Sequence, residues 1–383
     1  MKRRGFTLIE LLAVIVILAI IALIATPIVL DIIEDSKNSS IKRSIELYAD
    51  AVENSVAKAQ LNGNVVPSGK YTTTDGKTLT NGNTTIKVDY DGAKTVCDVI
   101  ISNKGNIYLE SCNVSDKDVE YTYGDIIYYN GKVVYFDVTT GEKCSNYAPA
   151  LSSTGAKTGC MKFYAFNDDG GDTLNLLLDH NTTAAVAWIT EEDYVAAGGT
   201  ASDYGNNGKN DKGPLTLLSQ LKKDTESWKG TETPENYTMN QTGQTSNANY
   251  TIKYKDEGYK ARLITAQEIA QITGNTTWDE KTAGDDFWFD TNTNKESDTC
   301  KYGNKSGCSY GWLYDRTSDF CTLYGCLNNS DKSQSVYWTA SSNATNINSW
   351  RVGHNAIVSS DFVWRKDTTG VRPVIEVLKS NLS

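Results

Sequence analysis

One stretch governs what this chain can become. From Phe6 to Leu30 the sequence FTLIELLAVIVILAIIALIATPIVL carries a single charged residue, Glu10. A helix of that length spans about 37 Å at ~1.5 Å per residue, more than the roughly 30 Å hydrocarbon core of a bilayer. The run is longer than the apolar core of a secretory signal peptide, and no small-residue cleavage site follows it. Lys2, Arg3 and Arg4 precede it, so the positive-inside rule puts the start of the chain in the cytoplasm and the C-terminus outside.

The pattern runs on past Leu30. Through DIIEDSKNSSIKRSIELYADAVENSVAKAQ, residues Ile41, Ile45, Tyr48, Val52, Val56 and Ala59 recur at three- and four-residue spacing. That is one apolar stripe on an amphipathic helix. The sequence therefore predicts one helix from about Phe6 to about Leu61. Its transmembrane half, 6–30, is apolar all round, and its amphipathic half, 31–61, is apolar on one face. Asn62-Gly63-Asn64 and Pro67 end it.

Glu10 needs a reason. A bare carboxylate in lipid costs roughly 2.5 kcal/mol or more, and the run holds no cation to offset it. Cutting the chain after Gly5 would make one. The freed amine of Phe6 would sit at the same membrane depth and meet Glu10 of a neighbouring copy.

Lys-Arg-Arg-Gly-Phe-Thr-Leu-Ile-Glu over 2–10 resembles the prepilin leader of type IV pilins and type II secretion pseudopilins. The resemblance covers roughly the first 60 residues. It implies a leader over 1–5, cleavage between Gly5 and Phe6 by a prepilin peptidase, and N-methylation of Phe6. It implies that Glu10 pairs with the N-terminus of an adjacent subunit during filament assembly. Pro27 would loosen the helix, since proline removes a backbone donor and clashes with the preceding turn. The implied partners are other pilin subunits, the assembly machinery and the membrane. An ordinary single-pass anchor with a chance acid is the alternative.

Composition narrows the rest. The formal net charge is −10, and loss of Lys2, Arg3 and Arg4 with the leader gives −10 − 3 = −13. Such a body is repelled by phosphate backbones, which argues against general nucleic-acid binding. Eight cysteines fit an oxidising compartment. The Asn-x-Ser/Thr triplets, such as those at Asn181 and Asn236, need be no more than composition in so Asn- and Thr-rich a chain.

Residues 62–118 read as a small β unit, with strands in TTIKVDY, KTVCDVIIS and GNIYLESCNV. A helix packed on a small antiparallel sheet is also what the pilin resemblance implies here. Cys97 and Cys112 lie on adjacent strands, where a disulfide would contribute ~3 kcal/mol by chain-entropy arguments. A boundary falls near 119. The remainder, 119–383, holds all eight tryptophans and six cysteines. Strands are expected in IIYYNGKVVYFDV, MKFYAFND, LNLLLD, AAVAWI, SVYWTASS, NSWRVG and TGVRPVIEVL. A helix is expected in PLTLLSQLKKDTESW, with Leu217, Leu218, Leu221 and Trp228 on one face. A second opens with a capping box at Thr265 and Glu268.

Arg262-Leu263-Ile264-Thr265, Tyr337 to Ser342, Ser349 to Val352 and Gly370 to Val374 resemble the C-type-lectin-like fold of formylglycine-generating-enzyme-like modules. The likeness covers 250–379, and 119–249 more loosely. It implies a mixed α+β outer domain with long loops, so that the whole chain is α+β: long helix, small sheet, lectin-like domain. Fold likeness carries no function.

Chemistry is sparse. Only His180 and His354 exist, so a three-histidine metal site is impossible, and His354 reads as a surface turn residue. Formylglycine-generating enzymes need reactive cysteines; Cys321 and Cys326 are the nearest candidates, with a structural disulfide as the alternative. Proximity pairs Cys144 with Cys160 and Cys300 with Cys308, among 105 possible connectivities. Asp168, Asp169 and Asp172 crowd a flexible turn as calcium ligands do, though the distant glutamate of an EF-hand is missing and a solvated turn is the alternative. No Trp-Asn-Asp occurs, so lectin-type calcium coordination is unsupported. Trp278, Trp288, Trp312 and Tyr314 read as loop anchors, or as platforms for a sugar or partner. Arg372 reads as a buried, ion-paired residue.

The expectation is a prepilin, single-pass in the cytoplasmic membrane, then a surface filament subunit, minor because its head is bulky. The head serves adhesion or binding of an unnamed extracellular ligand, without cofactor or catalysis. The alternatives are a pseudopilin of a type II secretion or DNA-uptake (competence) system, and a membrane-anchored surface enzyme related to formylglycine-generating enzymes.

Overall fold

A computed structural model of the chain describes residues 8–82, 84–102, 105–115, 117–119, 127–145, 157–241, 248–289, 310–314, 336–353 and 356–382. For 8–35, Leu12 apart, and for 117–119 it describes the backbone alone.

Helix α1, Leu8–Leu61, runs unbroken through both halves that the sequence distinguishes. It ends where expected. Asn62 and Asn64 donate to the carbonyls of Lys58 and Ala59, and Gly63 takes the left-handed conformation (φ 81°) that closes a helix without Cβ strain. Among the described residues no helix is long and apolar enough to cross a membrane. The span over 6–30 remains what the sequence implies.

The stripe on α1 does what its periodicity requires. Ile45, Tyr48, Ala49, Val52 and Val56 are buried, and Ile41 is partly buried beside them. They pack on strands β1 (Gly69–Tyr71), β2 (Thr78–Asn81), β3 (Thr84–Lys87), β4 (Thr95–Ile101) and β5 (Ile107–Val114), with β6 (Lys117–Val119) at the edge. The sheet is antiparallel in the order β1-β4-β5-β6, and β2-β3 is a separate hairpin. Burial of each large apolar side chain contributes roughly 1.5–3 kcal/mol. Two polar side chains in the seam are bonded: Ser55 Oγ donates to Ala51 O and accepts from the Asp89 amide, and Tyr90 OH donates to Ser44 O, while the buried Tyr48 OH has no partner among the described residues. Tyr48 and Tyr90 meet edge to face at 5.2 Å.

Period-two alternation splits β4 between two faces. Cys97, Val99 and Ile101 join the core under α1. Asp98 and Ile100 point the other way. A register shift between the Val96 and Asp98 pairings puts an extra residue on β5, and Ser111 sits there at φ 49°. The bulge brings Cys112 opposite Cys97, and the two are bonded.

The second unit comprises β7 (Val133–Asp137), β8 (Glu142–Lys143), β9 (Cys160–Phe166), β10 (Thr173–Leu178), α2 (Glu191–Ala196), α3 (Ala201–Tyr204), α4 (Leu215–Thr225), β11 (Tyr237–Asn240), β12 (Asn249–Ile252), α5 (Ala266–Ile272), β13 (Phe287–Trp288), α6 (Gly311–Tyr314), β14 (Tyr337–Ser342), β15 (Asn348–Gly353), β16 (Ile357–Phe362) and β17 (Val374–Leu378). A five-stranded antiparallel sheet runs β17-β10-β9-β7-β8, a four-stranded one β13-β16-β15-β14, and β11-β12 is a hairpin. The architecture is mixed α+β.

The five-stranded sheet is buried on both faces. Leu174, Leu176, Phe163, Ile375 and Val377 enter a core with Trp188, Leu217, Leu221 and Trp228. Leu177, Tyr164, Phe166 and Val374 enter a second core with Ile269, Trp312, Tyr337 and Trp350. Thr265 and Glu268 form the capping box of α5.

Three expectations are corrected. AAVAWI is irregular: its amides at Val186, Trp188 and Ile189 bond to the loop carbonyls of Thr369 and Val363, and Trp188 and Ile189 enter the same core. Among the described residues of IIYYNGKVVYFDV only Val133–Asp137 is strand, because Asn130-Gly131 turns the chain first. Helix α4 stops at Thr225; Trp228 reaches the core from the turn beyond.

Candidate functional site

The sequence points to the N-terminus. Gly5 and Phe6 lie outside the described residues. Glu10 and Pro27 fall within α1. Ser36 to Ser40 are exposed, and packing on the sheet begins at Ile41. The helix from Leu8 to Ser40 thus precedes the packed part by about 50 Å at ~1.5 Å per residue.

What that helix carries is set by the other face of the small sheet. Ile100 there is fully buried, yet belongs to none of the apolar cores. Its face bears charged neighbours that the second unit covers. Lys70 pairs with Asp98 at 2.6 Å and lies over the Tyr129 ring. Lys132 pairs with Glu110 at 3.6 Å and lies over Tyr128 and Tyr129. Asn130 Nδ2 donates to Ser68 Oγ, and its Oδ1 accepts from the Asn167 amide. Burial works against the Lys70 ammonium, but the hydrogen bond and charge of Asp98 outweigh it and raise its pKa. Burial pushes the phenols of Tyr128 and Tyr129 up. A 440 Å³ cleft opens at this seam, lined by Gln60, Pro67 and Ser102 on the stem and by Asn167, Gln271 and Thr276 on the head.

The acidic turn read as a calcium candidate is part of this junction. Asp168 is buried, accepts from the amides of Tyr128 and Gly170, and pairs with Lys379 at 2.7 Å. Asp169 accepts from the Gly171 amide, and the Asp172 carbonyl accepts from the Lys379 amide. The carboxylates of Asp168 and Asp169 are engaged separately, and Asp172 is bonded through its backbone carbonyl. Among the described residues no group of three or more His, Cys, Asp or Glu is placed to hold a metal.

Of the cysteines, Cys97 bonds to Cys112 and Cys144 to Cys160; Cys300, Cys308, Cys321 and Cys326 lie outside the described residues, as does His354. His180 is buried beside Asp179. Burial opposes ionisation of Asp179, but His180, Lys162 and Tyr164 together hold its pKa below the usual range. Trp312 and Tyr314 are buried and Trp278 packs on Phe287 and Trp350, so these rings anchor loops; Trp288 is half-buried in β13. Arg372 departs from expectation. It has no carboxylate partner among the described residues and donates instead to the carbonyls of Leu178, Leu313 and Trp312, over the Tyr337 ring.

One polar arrangement escaped sequence reading. A 430 Å³ cleft is lined by Arg262, Glu268, Glu280 and Glu376. Arg262 forks onto Glu268 and reaches Glu376 and Asn175. Glu280 is buried and accepts from Ser341 Oγ, Tyr237 OH and the Gln267 amide. Burial raises its pKa against those bonds. Its signals were Arg262, read only as part of the lectin-like resemblance, and Glu268, legible only as a cap.

Residues 1–26 match the family model of the prokaryotic N-terminal methylation motif. No curated relative and no solved structure matches the chain. The motif supports a type IV pilin-like or pseudopilin subunit, processed by a prepilin peptidase and handled by pilin-type assembly machinery.

Proposed function

We propose that the chain is the precursor of a filament subunit. It is inserted by its apolar helix, cut after Gly5, methylated on Phe6, and assembled through Glu10 against a neighbour's amine. The observation that carries this reading is the motif over 1–26, joined to an unbroken 54-residue helix. Residues 119–383, read as C-type-lectin-like from their sequence, form a non-catalytic head for adhesion or binding outside the cell. The bulk of that head favours a minor subunit.

The test is intact-mass and N-terminal analysis of the protein in sheared surface material. A chain beginning at methylated Phe6 in the filament fraction is expected. A chain beginning at Met1, or confined to membranes, overturns the reading. A processed chain found only in short, cell-retained assemblies makes it a pseudopilin. Glu10→Ala is expected to leave insertion and cleavage intact and to abolish recovery in sheared filaments; normal incorporation refutes the role of Glu10.

A further inference from the structure

The charges on α1 beyond the apolar run alternate with a period that the folded chain itself does not use. Acid, base, acid and base stand eight residues apart at Glu34, Lys42, Asp50 and Lys58, and Asp35 with Arg43 repeats the first step. Glu34, Lys42, Asp50 and Lys58 lie along one i±4n row of the helix, the kind of row along which helices pack. A helix whose charges serve only itself pairs them at three- and four-residue spacing. Arg43 and Glu46 do so, at 3.6 Å and with the Arg43 side chain 72 % exposed. Lys42, Asp50 and Lys58 are exposed, and among the described residues none of the three is in an ion pair.

Copies anchored by the same N-terminal helix stand parallel, so each charge on one copy meets the charge that an axial displacement brings level with it. With no displacement, like meets like at every charge. Over Asp31 to Leu61, a displacement of four residues sets Glu46 against Asp50 and Asp31 against Asp35. Seven sets Glu46 against Glu53, and sixteen sets Glu34 against Asp50 and Lys42 against Lys58. At eight, Glu34 meets Lys42, Asp35 meets Arg43, Lys42 meets Asp50 and Asp50 meets Lys58, and no like pair forms. No other displacement gives as many opposite pairs. We infer that α1 packs beside α1 of a second copy of this chain displaced along the axis by eight residues, about 12 Å. Exposed ion pairs contribute little each, so they choose the register rather than supply the attachment. Leu47 and Leu61, exposed on the same helix, offer the apolar contact. The inference rests on the filament reading for its parallel neighbour, and it requires copies side by side, whatever other subunits the filament holds.

The test is zero-length cross-linking with a water-soluble carbodiimide, which joins a carboxylate to an amine only where the two touch. It is applied to membranes and to sheared surface material carrying the full chain. Amides joining Asp50 to Lys58 and Lys42 to Asp50 are expected in a species of twice the chain's mass. On one helix those positions are about 12 Å apart, beyond the reach of such a bond. The links are expected to fade as salt rises. Asp50→Lys is expected to lose the double-mass species. The full exchange, Glu34→Lys with Lys42→Glu, Asp50→Lys and Lys58→Glu, is expected to recover it with links at the same displacement. No double-mass species in the parent, links at another displacement, or a linked partner of different mass overturns the inference. So does an undiminished species in Asp50→Lys, or an exchange variant that inserts, keeps the parent's circular dichroism and fails to link. Links confined to membranes uphold the register and remove the filament reading, so the two fail separately.

Discussion

Ile100 tests whether the head is seated on the stem. On a bare pilin-like sheet this position would face water, because its neighbours Cys97, Val99 and Ile101 take the helix side. Instead it is 0 % exposed, under the segment that carries Tyr128, Tyr129 and Lys132. Truncating a buried Ile to Ala costs about 2–5 kcal/mol, and Ile to Val about 0.5–1.5 kcal/mol. A surface position costs within roughly 0.5 kcal/mol. The graded pair Ile100→Val and Ile100→Ala is therefore expected to lower the opening free energy of the β4 and β5 amides in that order. Hydrogen exchange on the full chain reads it residue by residue. Val65→Ala, at a position 64 % exposed, is the control. Protection in Ile100→Ala within about 0.5 kcal/mol of the parent would refute the seating of the head, since only a water-facing side chain is truncated so cheaply. The ion pair of Lys132 with Glu110 is half-open and is worth only about 0.2–1 kcal/mol, too little to mask that result.

Other consequences are as concrete. Replacing both Cys97 and Cys112 by Ser removes a cross-link of sequence separation 15 and should cost about 3 kcal/mol in urea unfolding; an unchanged midpoint would deny the bond. Asp168→Ala strips Lys379 of its anion and two amides of their acceptor, and should cost about 3–5 kcal/mol, while a calcium chelator leaves the melting temperature of the parent unchanged. A chelator-dependent melting temperature would restore the metal reading. Glu280 has a raised pKa in the folded state, so its contribution to stability is present below its ordinary value of 4.5 and is lost as pH rises through the raised one. Glu280→Gln should remove that decline in a pH series of melting temperatures; an identical slope in parent and variant would sink the assignment.

What was legible follows from where the information sits. The stripe from Ile41 to Ala59 is a local period, and the structure buries it from Ile45 to Val56, with Ile41 and Ala59 half-buried at its ends. The capping box at Thr265 is likewise local, four residues that satisfy one another. β14 and β15 read as strands because β-branched and aromatic residues fall between turns. AAVAWI misleads because a short apolar run has no period to separate a strand from a buried irregular segment. Arg372 misleads because its partners are backbone carbonyls, which carry no sequence label. The Arg262 network joins Glu268, six residues on, to Asn175 and Glu376 from distant strands, and no spacing in the chain announces that meeting.

The hardest feature to read was the outer face of the small sheet. Lys70, Asp98, Tyr108 and Glu110 alternate with apolar residues, the pattern of a sheet with one face in water. The head covers that face by ion pairs and cation–π contacts, so the apolar signal at the joint is little more than Ile100. The three layers thus stand in series: α1 gives its stripe to the sheet, and the sheet gives its polar face to the head. The head leaves the opposite side of α1 uncovered. Arg43, Leu47, Asp50, Asn54, Ala57 and Leu61 recur there at helical spacing and all are exposed. Two of them are large and apolar, Leu47 at 45 % and Leu61 at 88 % exposure. In the filament reading proposed above, this is the side on which a neighbouring subunit has room to pack, and the head is held off it by the thickness of the sheet.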